Sequence, residues 1–373
     1  MPAETRKLLK LWSDARSRGE ECALATVVRV AGSSYRKPGA RMLLTRGDQR
    51  AGTVSGGCLE GEVTRKIWWL TEHGHAVRDY STSYDDDSTQ SYGLGCDGVV
   101  TLLLERASGA NEVFESLRNA VERRIASAMV TVVGANDATI LGKRTALAEE
   151  PPSPYSNGHL DDLDHLLLRI ARETLCARET RTISAQFRGS NIELFAEYIV
   201  PPPALFVFGA GDDAQPVIHL AHAMGWEITV ADGRSNLATH ARFPLAHRVA
   251  VLSANDDLQD LAIRSGDSAV VLTHSYIQDL SILRALLPMR LGYLGVLGPR
   301  RRTERIIDEV APSFGVDPAI ALESLRSPVG LDLGTGSPDV IALSIVAEIQ
   351  AALTRRSAAP LNLSSSLAPA IHG

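Results

Sequence analysis

The chain has 373 residues and a net charge of −6, with 45% apolar and 22% charged residues. That length exceeds one ordinary core, so two domains are expected, and the composition is that of a folded globular protein. The acidic balance argues against a general nucleic-acid binder. Residues 1–16 are charged and lack an apolar signal-peptide core, and no apolar run reaches membrane-spanning length. The four cysteines, Cys22, Cys58, Cys96 and Cys176, lie far apart without zinc or CxxC spacing, so reduced thiols in a cytoplasm are expected.

In chain order, residues 7–18 place Leu8, Leu9, Leu11 and Trp12 at helical spacing and predict an opening helix. Residues 22–30 (CALATVVRV) are β-branched and predict a strand. In the loop from Ala31 to Gly39, Ser33, Ser34, Arg36 and Lys37 suit either an anion site or a solvated basic surface. Residues 40–44 and 49–54 predict a strand pair. The stretch Thr53-Val54-Ser55-Gly56-Gly57-Cys58-Leu59-Glu60 then leads into a helix over 59–70. Its glycines permit a tight turn and expose bare backbone, and the first amides of a helix favour an anion. A thiol at that position is shifted toward thiolate. The same residues also fit a plain turn with a buried cysteine.

Residues 77–80 predict a strand and 81–91 an acidic loop. The carboxylates of Asp85, Asp86 and Asp87 cannot all face one ion, so a solvated loop is expected there. A second glycine-rich turn, Tyr92 to Gly98, carries Cys96 and opens a strand over 99–104. A helix over 112–123 and a hairpin of 128–133 with 138–141, turning at Asn136-Asp137, come next. A surface excursion over 143–160, a helix over 163–177 with Cys176 packed, and a strand over 191–200 follow. Pro201-Pro202-Pro203 is a stiff break and the expected domain boundary.

Beyond it strand and helix patterns alternate, the signature of a parallel sheet with crossover helices. A strand over 205–208 runs into Gly209-Ala210-Gly211-Asp212-Asp213-Ala214, a G-x-G-x-x-A turn. A helix to Met224 and a strand over 227–231 end at Asp232, where a Rossmann domain carries its ribose-binding acid. Asp212 and Asp213 would repel a pyrophosphate there, and Arg234 sets a cation beside Asp232. His274 ends a strand over 268–273, in either a ligand-facing or a capping role. A helix over 278–287 and a strand over 293–297 precede Gly298-Pro299-Arg300-Arg301-Arg302, which fits an anion site or a solvated basic turn. Ser337-Pro338-Asp339 is a helix start. The expected fold class is α/β: an N-terminal α+β domain (1–200), a C-terminal Rossmann-like doubly wound domain (204–355) and a disordered Ala/Ser/Pro-rich tail (356–373).

These motifs in this order resemble the XdhC/CoxI family of xanthine dehydrogenase accessory proteins. The N-terminal likeness rests on Gly32 to Met42, Ser55 to Glu60 and Gly95 to Gly98. The C-terminal one rests on Phe208 to Gly211, Asp232-Gly233-Arg234 with Phe243-Pro244, Thr273-His274, Leu297 to Arg301, Gly330-Leu331-Asp332 and the Ser337-Pro338 helix. The chain departs from the family pattern at Asp212-Asp213, Asp97 and Pro299. The resemblance implies a non-enzymatic chaperone, homodimeric, that takes the molybdenum cofactor (molybdopterin) as cargo. It implies that the cofactor is held while a cysteine desulfurase sulfurates it, then delivered to a xanthine-dehydrogenase-type apoenzyme. It points to Cys58 as the thiol near molybdenum, Gly56 and Gly57 as backbone access and Cys96 as a second ligand. Gly209, Gly211, Asp232, Arg234, His274, Arg300 and Arg301 are the expected cofactor-binding set of the second domain. The alternative is an NAD(P)-dependent oxidoreductase using Gly209, Gly211 and Asp232.

Overall fold

The computed structural model describes residues 2–57, 59–81, 98–149, 161–252, 258–334 and 336–363. The described residues divide into two units, one through Pro201 and one from Pro202 onward.

The first unit opens with α1 (Pro2–Ser17), followed by β1 (Cys22–Gly32), β2 (Arg41–Thr45), β3 (Arg50–Gly52), α2 (Glu60–Leu70), β4 (Ala76–Ser81) and β5 (Gly98–Arg106). These strands form a sheet in the order β3-β2-β1-β5-β4, antiparallel throughout. Strand β1 is its centre and is buried over its first seven residues. The reason is that both sheet faces are covered, so the run is buried throughout, Thr26 included, instead of alternating. On one face Leu59, Val63 and Ile67 of the α2 region pack on Val27, Met42 and Leu102. On the other, α1 and α3 (Asn111–Arg123) bring Leu8, Trp12 and Phe114 onto Leu24 and Leu43, with the Trp12 and Phe114 rings stacked at 4.4 Å.

The second half of this unit contains β6 (Ser127–Gly134), β7 (Arg144–Ala148), α4 (Asp162–Ala177), β8 (Arg181–Phe187) and β9 (Ser190–Ile199). They make an antiparallel sheet, β7-β6-β9-β8, with α4 packed on one face. Val28 and Leu103 of the first sheet meet Val133 and Phe195 of the second. Three arginine–glutamate pairs also cross between the sheets: Arg41 with Glu197, Arg29 with Glu193 and Arg144 with Glu105. The last pair is almost wholly out of solvent, at 2% and 0% exposure.

The second unit runs β10 (Ala204–Phe208), α5 (Ala214–Ala223), β11 (Glu227–Asp232), β12 (Arg248–Val251), β13 (Ser268–Val271), α6 (Tyr276–Leu286), β14 (Tyr293–Val296), α7 (Arg300–Val310), α8 (Pro318–Glu323) and α9 (Pro338–Thr354). Its sheet is parallel in the order β12-β11-β10-β13-β14. Val217 and Ile218 of α5 with Ile345 and Ile349 of α9 cover one face; Ile282 and Leu283 of α6 with Ile306 and Ile307 of α7 cover the other. This is the expected doubly wound, Rossmann-like arrangement.

Several local expectations fail. Residues 138–140 form a single 3₁₀ turn, because the Asp137 carboxylate accepts from the Thr139 amide, and β6 pairs instead with β7. The stretch beginning at residue 143 is therefore first a strand, and its remainder from 150 to 160 lies outside the described residues. Strands β8 and β12 and helix α8 are short or half-exposed and carry no strong sequence signal. Cys176 is exposed on α4, not packed. Of the tail, Leu361–Leu363 form a 3₁₀ turn, and residues 364–373 are outside the described set, as are Asp85, Asp86 and Asp87. Among the described residues no helix is long and apolar enough to cross a membrane.

Removing one member of a dry ion pair strands the other charge, whereas replacing both by apolar groups does not. Arg144→Met is expected to cost about 3–5 kcal/mol in urea unfolding, and Glu105→Leu/Arg144→Met to recover most of it. The transition is followed through Trp12, Trp68 and Trp69 in the first unit.

Candidate functional site

The turn from Thr53 to Glu60 is built by one carboxylate and one hydroxyl. The Glu60 carboxylate accepts from the amides of Val54 and Ser55, at 3.1 and 2.8 Å, and from the Ser55 hydroxyl at 2.6 Å. The Ser55 hydroxyl oxygen in turn accepts from the amides of Gly57 and Leu59, at 3.2 and 3.1 Å. Burial pushes the Glu60 carboxyl up. The hydrogen bonds from Ser55 and the neighbouring amides outweigh it and hold the group below its ordinary value. Sequence reasoning suggested an anion cradle here. The structure turns four of the turn's amides onto the protein's own oxygens, so those four are spent before any ligand arrives.

The turn still offers accessible backbone. Gly57 has φ 121°, a conformation L side chains avoid, and among the described residues nothing lies within 4 Å of where its side chain would stand. Gly56 is also exposed, with the Tyr35 ring 3.7 Å from where its side chain would stand. A side chain at Gly98 would collide with the Ser33 carbonyl oxygen. The Ser33–Tyr35 loop therefore touches both the Gly56 turn and the start of β5, two residues after Cys96. Arg36 of the same loop is held by Glu4 and Thr53, which leaves it structural. Cys58, Cys96 and Asp97 lie outside the described residues.

In the second unit the turn after β10 is closed in the same way. The Asp232 carboxylate accepts from the Ala210 amide at 2.6 Å. It also takes the Arg234 guanidinium side-on, at 2.9 and 2.7 Å, and the Arg234 amide at 2.8 Å. Burial alone would raise the Asp232 carboxyl; Arg234 and the amides hold it low. Its acceptor sites are thus taken by the protein, and the acid does not present itself to a ribose diol. Gly209, at φ 125°, lets β10 pass within contact of the Leu272 carbonyl. At Gly211 the backbone is not bare: a side chain there would meet the Asp213 carboxylate at 2.7 Å.

Asp212 and Asp213 are both paired, with Arg242 at 2.8 Å and with His274 at 2.7 Å. His274 is 62% exposed at the carboxyl end of the sheet and is not a packed core histidine. Among the described residues no group of three or more His, Cys, Asp or Glu could hold a metal ion, so these aspartates do not form one. Arg300 pairs along its helix with Glu304 at 3.0 Å, and Arg301 is exposed; neither is drawn into the turn. The inward member of the arginine run is Arg302, 2.6 Å from buried Asp279, whose carboxyl burial raises despite a hydrogen bond from Thr273. The acid after the second strand is thus engaged by the protein, and the Asp213 side chain stands beside the second glycine. Sequence reading missed Glu60, Arg242, Asp279 and Arg302 as organising residues. For Glu60 the signal was available, since an acid at the first helical position is a local capping pattern.

Comparison with known proteins follows the two halves. Residues 15–81 match the model of the XdhC and CoxI family, and residues 205–349 that of the XdhC Rossmann domain. The chain is 30% identical over 332 residues to a probable xanthine dehydrogenase subunit of Bacillus subtilis, spanning 88% of this chain and 92% of that one. It is 25% identical to the molybdenum cofactor insertion chaperone PaoD of Escherichia coli, over 92% of this chain and 87% of that one. Its fold is similar to the crystal structure of a xanthine dehydrogenase from Bacillus halodurans, with a TM-score of 0.73 at 27% identity, covering 96% and 98% of the two chains.

The Glu60 network has a pH signature. A carboxyl held low when folded adds stability above its ordinary value of 4.5, and that stability is lost as pH falls through the lowered one. Glu60→Gln is expected to destabilise the chain by about 1–3 kcal/mol at neutral pH. In urea titrations the gap to the parent protein should stay constant above pH 4.5 and narrow below it.

Proposed function

The chain belongs to the XdhC/CoxI family, and on that premise we propose that it holds the molybdenum cofactor for sulfuration and delivers it to a xanthine-dehydrogenase-type molybdenum hydroxylase. The observation that carries this reading is the Ser55–Glu60 turn. Glu60 and Ser55 organise the backbone on both sides of Cys58, between exposed Gly57 and buried Leu59. A cargo with a thiolate-seeking metal needs a soft ligand on a rigid support and open backbone around it. The turn supplies the support without help from the cargo. Cys96, two positions before Gly98 and its contact with the Ser33 loop, is the second thiol of the proposal.

The name of the PaoD relative supports the cargo, and that of the Bacillus subtilis relative supports a molybdoenzyme client. The desulfurase partner, the homodimer and the cytoplasmic setting belong to the same proposal. In the second unit Arg234 and His274 are each paired with an aspartate, so the reading rests chiefly on the first unit.

The test is retention of cargo. Full-length protein mixed with molybdopterin-type cofactor and passed over a desalting column should keep about one equivalent, read by pterin fluorescence and molybdenum content. Cys58→Ser should keep less than about a tenth of that, at unchanged melting temperature. Equal retention by the variant would remove Cys58 from the proposal, and no retention by the parent protein would end it.

A further inference from the structure

Strand β8 (Arg181–Phe187) is an edge of the sheet β7-β6-β9-β8. Its pairing with β9 closes on the two-residue turn Arg188-Gly189, where both residues have positive φ, 48° and 77°. Such a turn makes Phe187 and Ser190 a hydrogen-bonded pair. The register is unbroken, so by alternation Ala185, Ile183 and Arg181 also turn their backbone groups to β9. The amides and carbonyls of Thr182, Ser184 and Gln186 therefore point out of the sheet. Ser184 and Gln186 are exposed, and among the described residues no strand pairs on that side. The strand is nonetheless held in place. The Thr182 hydroxyl donates to the Val28 carbonyl at 2.7 Å, and Ile183, Ala185 and Phe187 pack on the core under α4.

The other sheet edges are short, charged or covered. Strand β3 has three residues and β12 four, β4 presents Arg78 and Asp79, β7 is half-buried throughout, and β14 is bridged by Arg326. Strand β8 has seven residues, and from Thr182 to Phe187 it carries no charge, proline, glycine or bulge. Proteins usually guard an edge with one of these, because a bare one is a template for another strand. We propose that β8 pairs antiparallel with β8 of a second copy across a two-fold axis, joining two four-stranded sheets into one. A single register uses all three outward residues: Ser184 faces the partner's Ser184, and Thr182 faces the partner's Gln186. It also sets Ile183 opposite the partner's Ala185, and Arg181 opposite the partner's Phe187. In the chain itself the Phe187 ring already takes the Arg188 guanidinium at 5.1 Å. A slip of one residue would face Arg181 with the partner's Arg188 and set outward groups against ones already bonded to β9. The interface rests on the homodimer of the proposed function and needs nothing from Cys58.

Light scattering of the full chain after size exclusion should give twice 40.1 kDa. Ser184→Pro removes an outward amide at an edge position, where proline is tolerated, and should give a monomer with the parent's far-ultraviolet spectrum. A Cys176→Ser background removes an exposed native thiol. In it, Ser184→Cys should form a disulfide-linked dimer with diamide, since hydrogen-bonded partners stand about 5.5 Å apart between Cα atoms. Gln186→Cys in the same background should not, because that residue faces the partner's Thr182 and not its own counterpart. A dimer that persists in Ser184→Pro overturns the β8 edge, as does a Ser184→Cys chain that cross-links no better than Gln186→Cys. A monomeric parent also overturns it, and retention of cofactor by that monomer would leave the cargo reading standing.

Discussion

In both units a carboxylate laid across backbone amides closes a strand–glycine–helix turn. Glu60 does this to Val54 and Ser55, and Asp232 to Ala210. Such turns attract anions because their amides are left over by the adjoining strand and helix. Here the protein provides the anion itself. A buried carboxylate is costly unless several donors face it, and each of these has three or more. The turns are therefore held in shape before any ligand binds.

That arrangement separates two properties that glycine-rich turns usually combine. The first turn keeps open backbone at Gly57 but has spent four amides on the protein's own oxygens. In the second, Asp213 stands beside Gly211 and Asp232 is engaged by Arg234 and the Ala210 amide.

Charge plays a third role between the two sheets of the first unit, where the Arg41, Arg29 and Arg144 pairs span from one sheet to the other. Apolar contact there joins Val28 and Leu103 to Val133 and Phe195, and Leu24 and Leu43 share a cluster with Met129 and Ile199. Directional pairs fix the register of one sheet on the other in a way that a few non-directional contacts do not.

Much of this was legible in the residues. Alternating strand and helix patterns, the G-x-G-x-x-A turn and the acid after the second strand specify a parallel Rossmann-like sheet. Ser337-Pro338-Asp339 specifies a helix start, and Ser337 indeed accepts from the Val340 amide. These features arise from neighbours within a few positions, so sequence alone determines them. Strands β8 and β12 escaped because half-exposed edges lack a strong apolar pattern. The uses of the charged residues were decided only by tertiary structure. Arg144 meets Glu105 from 39 positions away, Asp213 meets His274 from 61, and Arg302 reaches Asp279 from a different helix. A carboxylate's sequence position shows that it can accept hydrogen bonds. Whether those bonds go to a ligand or to the protein depends on which donors the fold brings within about 3 Å, and at both glycine turns the fold brought its own.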